Sequence, residues 1–95
     1  MTYELEFKKS ALKEWKKLGA IVKLQFKKKL ANILENPHIE SAKLSGDNKL
    51  YKIKLRQVGY RLVYEVSDTV ITVTVISVGK RDRGKVYKAA MERLN

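Results

Sequence analysis

The sequence contains no cysteine, one histidine (His38), one proline (Pro37) and only 10 acidic residues against 21 lysines and arginines. Each shortage excludes something. Without thiols there are neither disulfides nor thiolate metal sites, and the redox compartment leaves no mark on the chain. The lone His38, in a polar stretch directly after Pro37, has no apparent partner and reads as incidental. Scarce acids leave a net charge of +11, self-repulsive unless the chain meets an anionic partner such as nucleic acid, an acidic protein or a membrane surface. There is no P-loop, zinc-ligand spacing, nucleophile elbow or paired acidic motif, so nucleotide hydrolysis and metal-dependent hydrolysis find no support and no cofactor is expected. No apolar run reaches the length of a membrane span, and the opening MTYELEFKKS lacks the basic-then-apolar order of a signal peptide. A cytoplasmic protein with no membrane partner is the expectation.

What is present is organised around Tyr51 to Tyr64, YKIKLRQVGYRLVY, where apolar and basic residues alternate through a turn at Gln57, Val58 and Gly59. Alternation marks a strand with one buried and one wet face. It puts Tyr51, Ile53 and Leu55 on the buried side, where Leu62 and Tyr64 must join them, because a slip of one residue would bury the charges. The closest pairing of that parity sets Arg56 opposite Arg61, Lys54 opposite Val63 and Lys52 opposite Glu65. Lys52, Lys54 and Arg61 then share the wet face. Like charges so placed repel, so the cluster is expected to face something anionic.

Around this hairpin the 95 residues predict one domain over 1–95. Tyr3, Leu5 and Phe7 alternate with Glu4 and Glu6 as a first strand. Ser10 suits an N-cap for a helix carrying Ala11, Leu12, Trp15 and Leu18 as far as Gly19. A second helix runs from about Ala20 to Glu35, with Val22, Phe26, Leu30 and Ile33 at helical spacing, and Asn36-Pro37 stops it. The short link between the two predicts a helical hairpin covered by a sheet. Lysines crowd it, among them Lys13, Lys16, Lys17, Lys23, Lys27 and Lys28. They read either as a solvated face or as a docking surface for RNA phosphates. Residues His38 to Lys49 form a polar loop. Val70 to Val78 is apolar on both faces and predicts an inner strand ended by Gly79; Asp82 then caps a last helix from about Gly84 to Leu94, with Val86, Ala90 and Leu94 on one line.

Catalysis in such a chain must use lysine, arginine and tyrosine. That set suits RNA cleavage by its own ribose 2′-hydroxyl, which needs a base, cations for the phosphorane and help for the leaving 5′ oxygen. Lysine is a poor base at its ordinary pKa of about 10.4. Close cations lower that value, so Lys52 beside Lys54 and Arg61 would supply neutral amine.

The ordered set YKIKLR, GYRLVY, VISVGKRDR and the VY at Val86 and Tyr87, with ALKEWKKLG near the start, resembles the RelE family of ribosome-dependent mRNA endonuclease toxins through essentially the whole chain. The resemblance implies an α+β fold: a four-stranded antiparallel sheet packed by an N-terminal helical hairpin, plus a C-terminal helix, as in microbial RNases. It implies cutting of mRNA in the ribosomal A site, contact with 16S rRNA, neutralisation by a RelB-like antitoxin, and binding of operator DNA only as a complex with that antitoxin. It casts Lys52 as general base, Lys54 as its tuner and transition-state partner, Arg61 as the clamp on the scissile phosphate and Tyr87 as a stacking platform for a flipped base. Arg81 would act at the leaving group, as acid or as stabilising charge; arginine holds its proton too firmly for donation to be the preferred reading. Arg56 and Arg83, with the helical lysines, would bind RNA or the ribosome. Two competing readings are a non-catalytic inhibitor of DNA gyrase on the same scaffold, like ParE toxins, and a plain basic RNA-binding protein.

Overall fold

The computed structural model describes residues 2–44, 49–82 and 84–93. The chain runs β1 (Glu4–Phe7), α1 (Lys9–Lys16), α2 (Ala20–Glu35), a 3-10 turn at Glu40–Ala42, β2 (Leu50–Leu55), β3 (Tyr60–Ser67), β4 (Thr72–Lys80) and α3 (Lys85–Arg93). The four strands lie in the order β1-β4-β3-β2. β2, β3 and β4 form the expected antiparallel meander, but β1 lies parallel to β4, with Leu5 beside Val73 and Phe7 beside Val75. The sheet is therefore mixed rather than wholly antiparallel. Parallel neighbours need a long crossover, and everything from α1 to β3 supplies it.

The hairpin keeps the expected parity but slips by two residues. Lys54 faces Arg61, Lys52 faces Val63 and Leu50 faces Glu65, because the reversal takes the four residues 56–59 with Gly59 at φ 71°. A two-residue slip leaves every side chain on its face. Tyr51, Ile53, Leu55, Leu62 and Tyr64 accordingly join Ala11, Phe26, Leu30 and Ile33 in one core beneath the helical pair, while Leu50, Val63 and Ile76 pack under Val86 and Ala90 of α3 in a second core on the opposite face. Trp15 closes the first core, its ring 5.3 Å from Phe7 and 6.1 Å from Phe26. Tyr64 donates a hydrogen bond to the Pro37 carbonyl, which ties the end of α2 to the sheet.

β4 lies inside the sheet and is covered on both faces, as its composition requires, but it begins at Thr72 and runs through Gly79 to Lys80. Val70 stays outside, 64% exposed, because the chain reverses at 68–71 with Ile71 at φ 51°. Gly79 sits opposite Arg61 within the strand, with only ordinary room for a side chain beside Val86. Between the pairs Val63–Ser77 and Tyr64–Val75 one residue of β4, Ile76, has no partner. That bulge shifts the parity of the strand. Val73, Val75 and Val78 all reach the helical core, and Ile76 turns to α3, where Ser77 also donates to the Val86 carbonyl at 2.7 Å.

Two helix starts differ from expectation. α1 begins at Lys9, because Lys8 leaves β1 extended at ψ 152° and takes the N-cap position without a side-chain bond; Ser10 therefore lies inside the first turn. In α3, the backbone carbonyl of Asp82 accepts from the Lys85 amide and its carboxylate pairs with the Lys85 ammonium at 3.2 Å. Leu94 and the polar-loop residues Ser45 to Asn48 lie outside the described residues.

Candidate functional site

Basic residues converge where the β2–β3 turn meets the end of β4. Lys54 and Arg61 are cross-strand partners on the face away from the helical core, with Lys52 two positions back on the same face. Just past β4, the Arg81 amide donates to the Gly59 carbonyl at 2.7 Å, which stitches the chain after the strand to the turn. Lys54, Arg56, Tyr60, Arg61 and Arg81 thereby line one cavity of about 280 Å³. Tyr87, at the start of α3, reaches the same group through Arg61. The guanidinium donates to the Tyr87 hydroxyl at 2.7 Å and lies 5.5 Å from the ring centroid, a cation–π contact.

The cluster is electrostatically self-opposed. Lys52 is the largest influence on Lys54, followed by burial and by Arg61, Arg56 and Arg81, and together they hold the Lys54 amine below the ordinary lysine range. Lys54 is half-buried. Its surroundings thus favour loss of its proton, while the family resemblance casts Lys52 as the base and Lys54 as its tuner.

Of the other expected positions, Arg56 joins the cavity, and Arg83 lies outside the described residues. Lys13, Lys16, Lys27 and Lys28 are exposed on the helices, Lys17 is exposed just past the end of α1 and Lys23 is half-buried; none lines the cavity of Lys54 and Arg61. A neighbouring groove between α2 and the edge strand β2 was not foreseen. Gln25 and Lys29 of α2 share it with Lys54 and Arg56, and Lys29 and Asn32 share its continuation with Lys52. The spacing of Gln25, Lys29 and Asn32, four and three residues apart, is the sequence signal that puts them on one helical face.

His38 does have partners. Its Nε2 lies 2.8 Å from Asp68 Oδ1, which also accepts from the Tyr3 hydroxyl at 2.6 Å, and its Nδ1 lies 3.4 Å from the Tyr51 hydroxyl. A carboxylate only accepts, so Nε2 carries the proton. The contacts join residues from four distant parts of the chain, which is why no short spacing announced them. This group sits at the far end of β3 from Arg61 and shares no residue with the basic cavity.

The family described as "ParE toxin of type II toxin-antitoxin system, parDE" matches residues 5–84. The chain is 56% identical over 94 residues, 99% of each chain, to the mRNA interferase toxin RelE of Escherichia coli K12, and equally to the mRNA interferase RelE of Shigella flexneri. A free double-arginine mutant of Escherichia coli RelE superposes over the whole of both chains with a TM-score of 0.92 at 54% identity. The toxin in the intact Escherichia coli RelBE toxin–antitoxin complex gives 0.81 at 58% identity, covering 85% of this chain and 99% of that one. The archaeal RelE of Pyrococcus horikoshii, 23% identical with a TM-score of 0.65, shares the fold. A toxin family matched across most of its length, full-length identity above one half to RelE toxins and a superposable fold leave one conclusion: this chain belongs to the RelE branch of the RelE/ParE family of type II toxins.

Proposed function

We propose that this protein is the toxin of a type II toxin–antitoxin pair and an endoribonuclease that cuts mRNA in the ribosomal A site. The observation that carries the reading is the Lys54–Arg61 pair with Arg81 stitched beside it, basic side chains that line one cavity with Arg56 and hold Lys54 below the ordinary lysine range. Neutral Lys54 takes the proton of the ribose 2′-hydroxyl, whose oxygen attacks the adjacent phosphorus as the bond to the 5′ oxygen breaks. The products are a 2′,3′-cyclic phosphate and a free 5′ end. Lys52 keeps Lys54 deprotonated and adds charge. Arg61 holds the phosphate through its remaining N–H groups, and guanidinium suits that bidentate task better than an ammonium. Arg81 stabilises the charge that grows on the leaving oxygen, which is protonated by water. Tyr87 stacks on a base, an interaction worth about 1 to 3 kcal/mol.

The set lacks a strong acid–base pair, so positioning must supply much of the rate. Aligning the 2′ oxygen with the phosphate can contribute up to roughly 7 to 11 kcal/mol, and the ribosome is the agent proposed to do it. Lys13, Lys16, Lys17, Lys23, Lys27 and Lys28, with Arg56 and Arg83, are the residues proposed to meet 16S rRNA. A RelB-like antitoxin covers the basic cavity, the pair together binds operator DNA, and the site of action is the cytoplasm, where ribosomes are. Full-length identity to mRNA interferases favours cleavage over gyrase inhibition, although the matching family carries the ParE name.

The test is in vitro translation of a defined mRNA followed by primer extension, with a ribosome-free control. Cuts are expected only at A-site codons and only with ribosomes. Lys54→Ala should lower the rate by about 10²- to 10⁴-fold, as should Arg81→Ala at the leaving group. Wild-type protein that leaves translated mRNA whole, or variants that merely weaken ribosome binding, would sink the reading.

A further inference from the structure

We propose that Glu14 and Arg93 form a latch that docks α3 against the sheet edge and thereby positions Tyr87 over Arg61. Arg93 Nη1 and Nη2 donate to Glu14 Oε1 and Oε2, each at 2.9 Å, a bidentate pair between residues 79 positions apart. Both partners do a second job. Glu14 Oε1 accepts from the Val78 amide at 3.2 Å, and Arg93 Nη1 donates to the Ile76 carbonyl at 2.8 Å.

The topology explains why those backbone groups are available. β1 ends at Phe7 opposite Val75, and the Lys8 amide makes the last bond, to the Val75 carbonyl. Among the described residues no strand neighbours the outer edge of β4 from the bulge at Ile76 onward, and the two charged side chains satisfy the groups that a fifth or longer strand would have taken. An ion pair woven into a sheet edge in this way has fixed geometry. It differs from the surface pairs that contribute little because both side chains wander.

α3 depends on it. A helix of nine residues is marginal alone, and this one buries only Val86 and Ala90 in its core. Among the described residues, the remaining anchors lie toward its start, the Ser77–Val86 bond and the Arg61–Tyr87 contact. Arg93 pins the other end, six residues from Tyr87 and so about 9 Å along the axis. With both ends held, Tyr87 has one position relative to Arg61. With the latch open, α3 is held near its start alone and its far end can swing, which loosens the setting of Tyr87. Glu14 and Arg93 act through α3 and neither lines the basic cavity, so they are positioning residues.

The role in cleavage rests on the ribonuclease reading, so the experiment has two arms. In the first, backbone amide exchange is followed in wild type, Glu14→Gln and Arg93→Lys. A latch predicts exchange about tenfold faster throughout α3 in Glu14→Gln, a smaller change in Arg93→Lys, which keeps the charge, and unchanged protection in β3. Unchanged exchange in α3, or equal acceleration in β3, would overturn the latch whatever the protein cleaves. In the second arm, Glu14→Gln should lower the cleavage rate at saturating ribosomes by about fivefold with the half-saturating concentration unchanged, and should have no further effect in a Tyr87→Ala background, since neighbours acting as one unit are non-additive. A full additive loss in that background would show that Glu14 supports stability only. Wild-type protein without activity would count against the ribonuclease reading, while the exchange arm still decides the latch.

Discussion

Lys54 is where local chemistry is sharpest. Its amine is held below the lysine range by Lys52 first, then by burial and the arginines around it. A base works only when deprotonated, so the cleavage rate should rise with pH through the Lys54 pKa and level off above it. Lys52→Ala removes the largest cause. The rise should move to higher pH in that variant, which a single-turnover pH–rate profile on programmed ribosomes would show. At the other end of the sheet, bonds from Tyr3 and then His38 hold the Asp68 carboxyl below its usual value, against a smaller opposing effect of burial and with Lys49 assisting. A depressed carboxyl favours the folded state above the unfolded pKa, about 3.9, and that contribution disappears as pH falls through the folded value. Asp68→Asn should therefore flatten the acid limb of stability against pH, as followed by urea unfolding between pH 2 and 6. Ile71 carries the clearest strain. A β-branched residue at φ 51° opposes its own side chain, and Ile71→Asn should raise stability by about 1 kcal/mol, read from the urea midpoint.

At the scale of elements, the hairpin and its neighbours carry both fold and site. Gly59 sits at φ 71°, where a side chain is strained even though the space around it is open. Gly59→Ala should cost about 1 kcal/mol in urea unfolding. It should also impair cleavage beyond that loss, because the Gly59 carbonyl receives the Arg81 amide. Alternation alone predicts which faces of β2 and β3 are wet, and Lys52, Lys54 and Arg61 do share one. The register escapes it. Pairings two residues apart satisfy the same parity, and only the four-residue turn selects Lys54 opposite Arg61. The end of β4 was equally hidden, since Gly79 reads as a stop but fits inside a strand whose neighbour on that face is Val86. The Ile76 bulge leaves no trace in a run of β-branched residues.

Across the whole molecule, a surface of net charge +11 surrounds a core that the apolar pattern outlines. Binding to ribosomes through such a surface should weaken steeply with salt, since each phosphate neutralised releases counterions. Raising ionic strength from about 0.05 to 0.2 M should therefore lower apparent affinity by orders of magnitude, measured by co-sedimentation, while single-turnover cleavage at saturating ribosomes changes far less. The core itself should obey volume rather than charge. Phe26, fully buried beneath Trp15, is expected to cost about 3 to 5 kcal/mol when cut to alanine.

Periodicity and charge along the chain were enough for the helices, the meander and the wet basic face, because both are local properties and need only neighbours along the chain; Arg81 and Tyr87 came into view through the family resemblance. Tertiary structure alone decided that β1 runs parallel to β4, that Lys54 meets Arg61, that Arg81 closes on Gly59, and that Tyr3, His38 and Asp68 find one another. It alone brought Arg93 back to Glu14 across 79 positions. Such contacts depend on chain reversal, on where a strand stops and on which backbone groups are left unpaired, and no window of sequence contains those quantities.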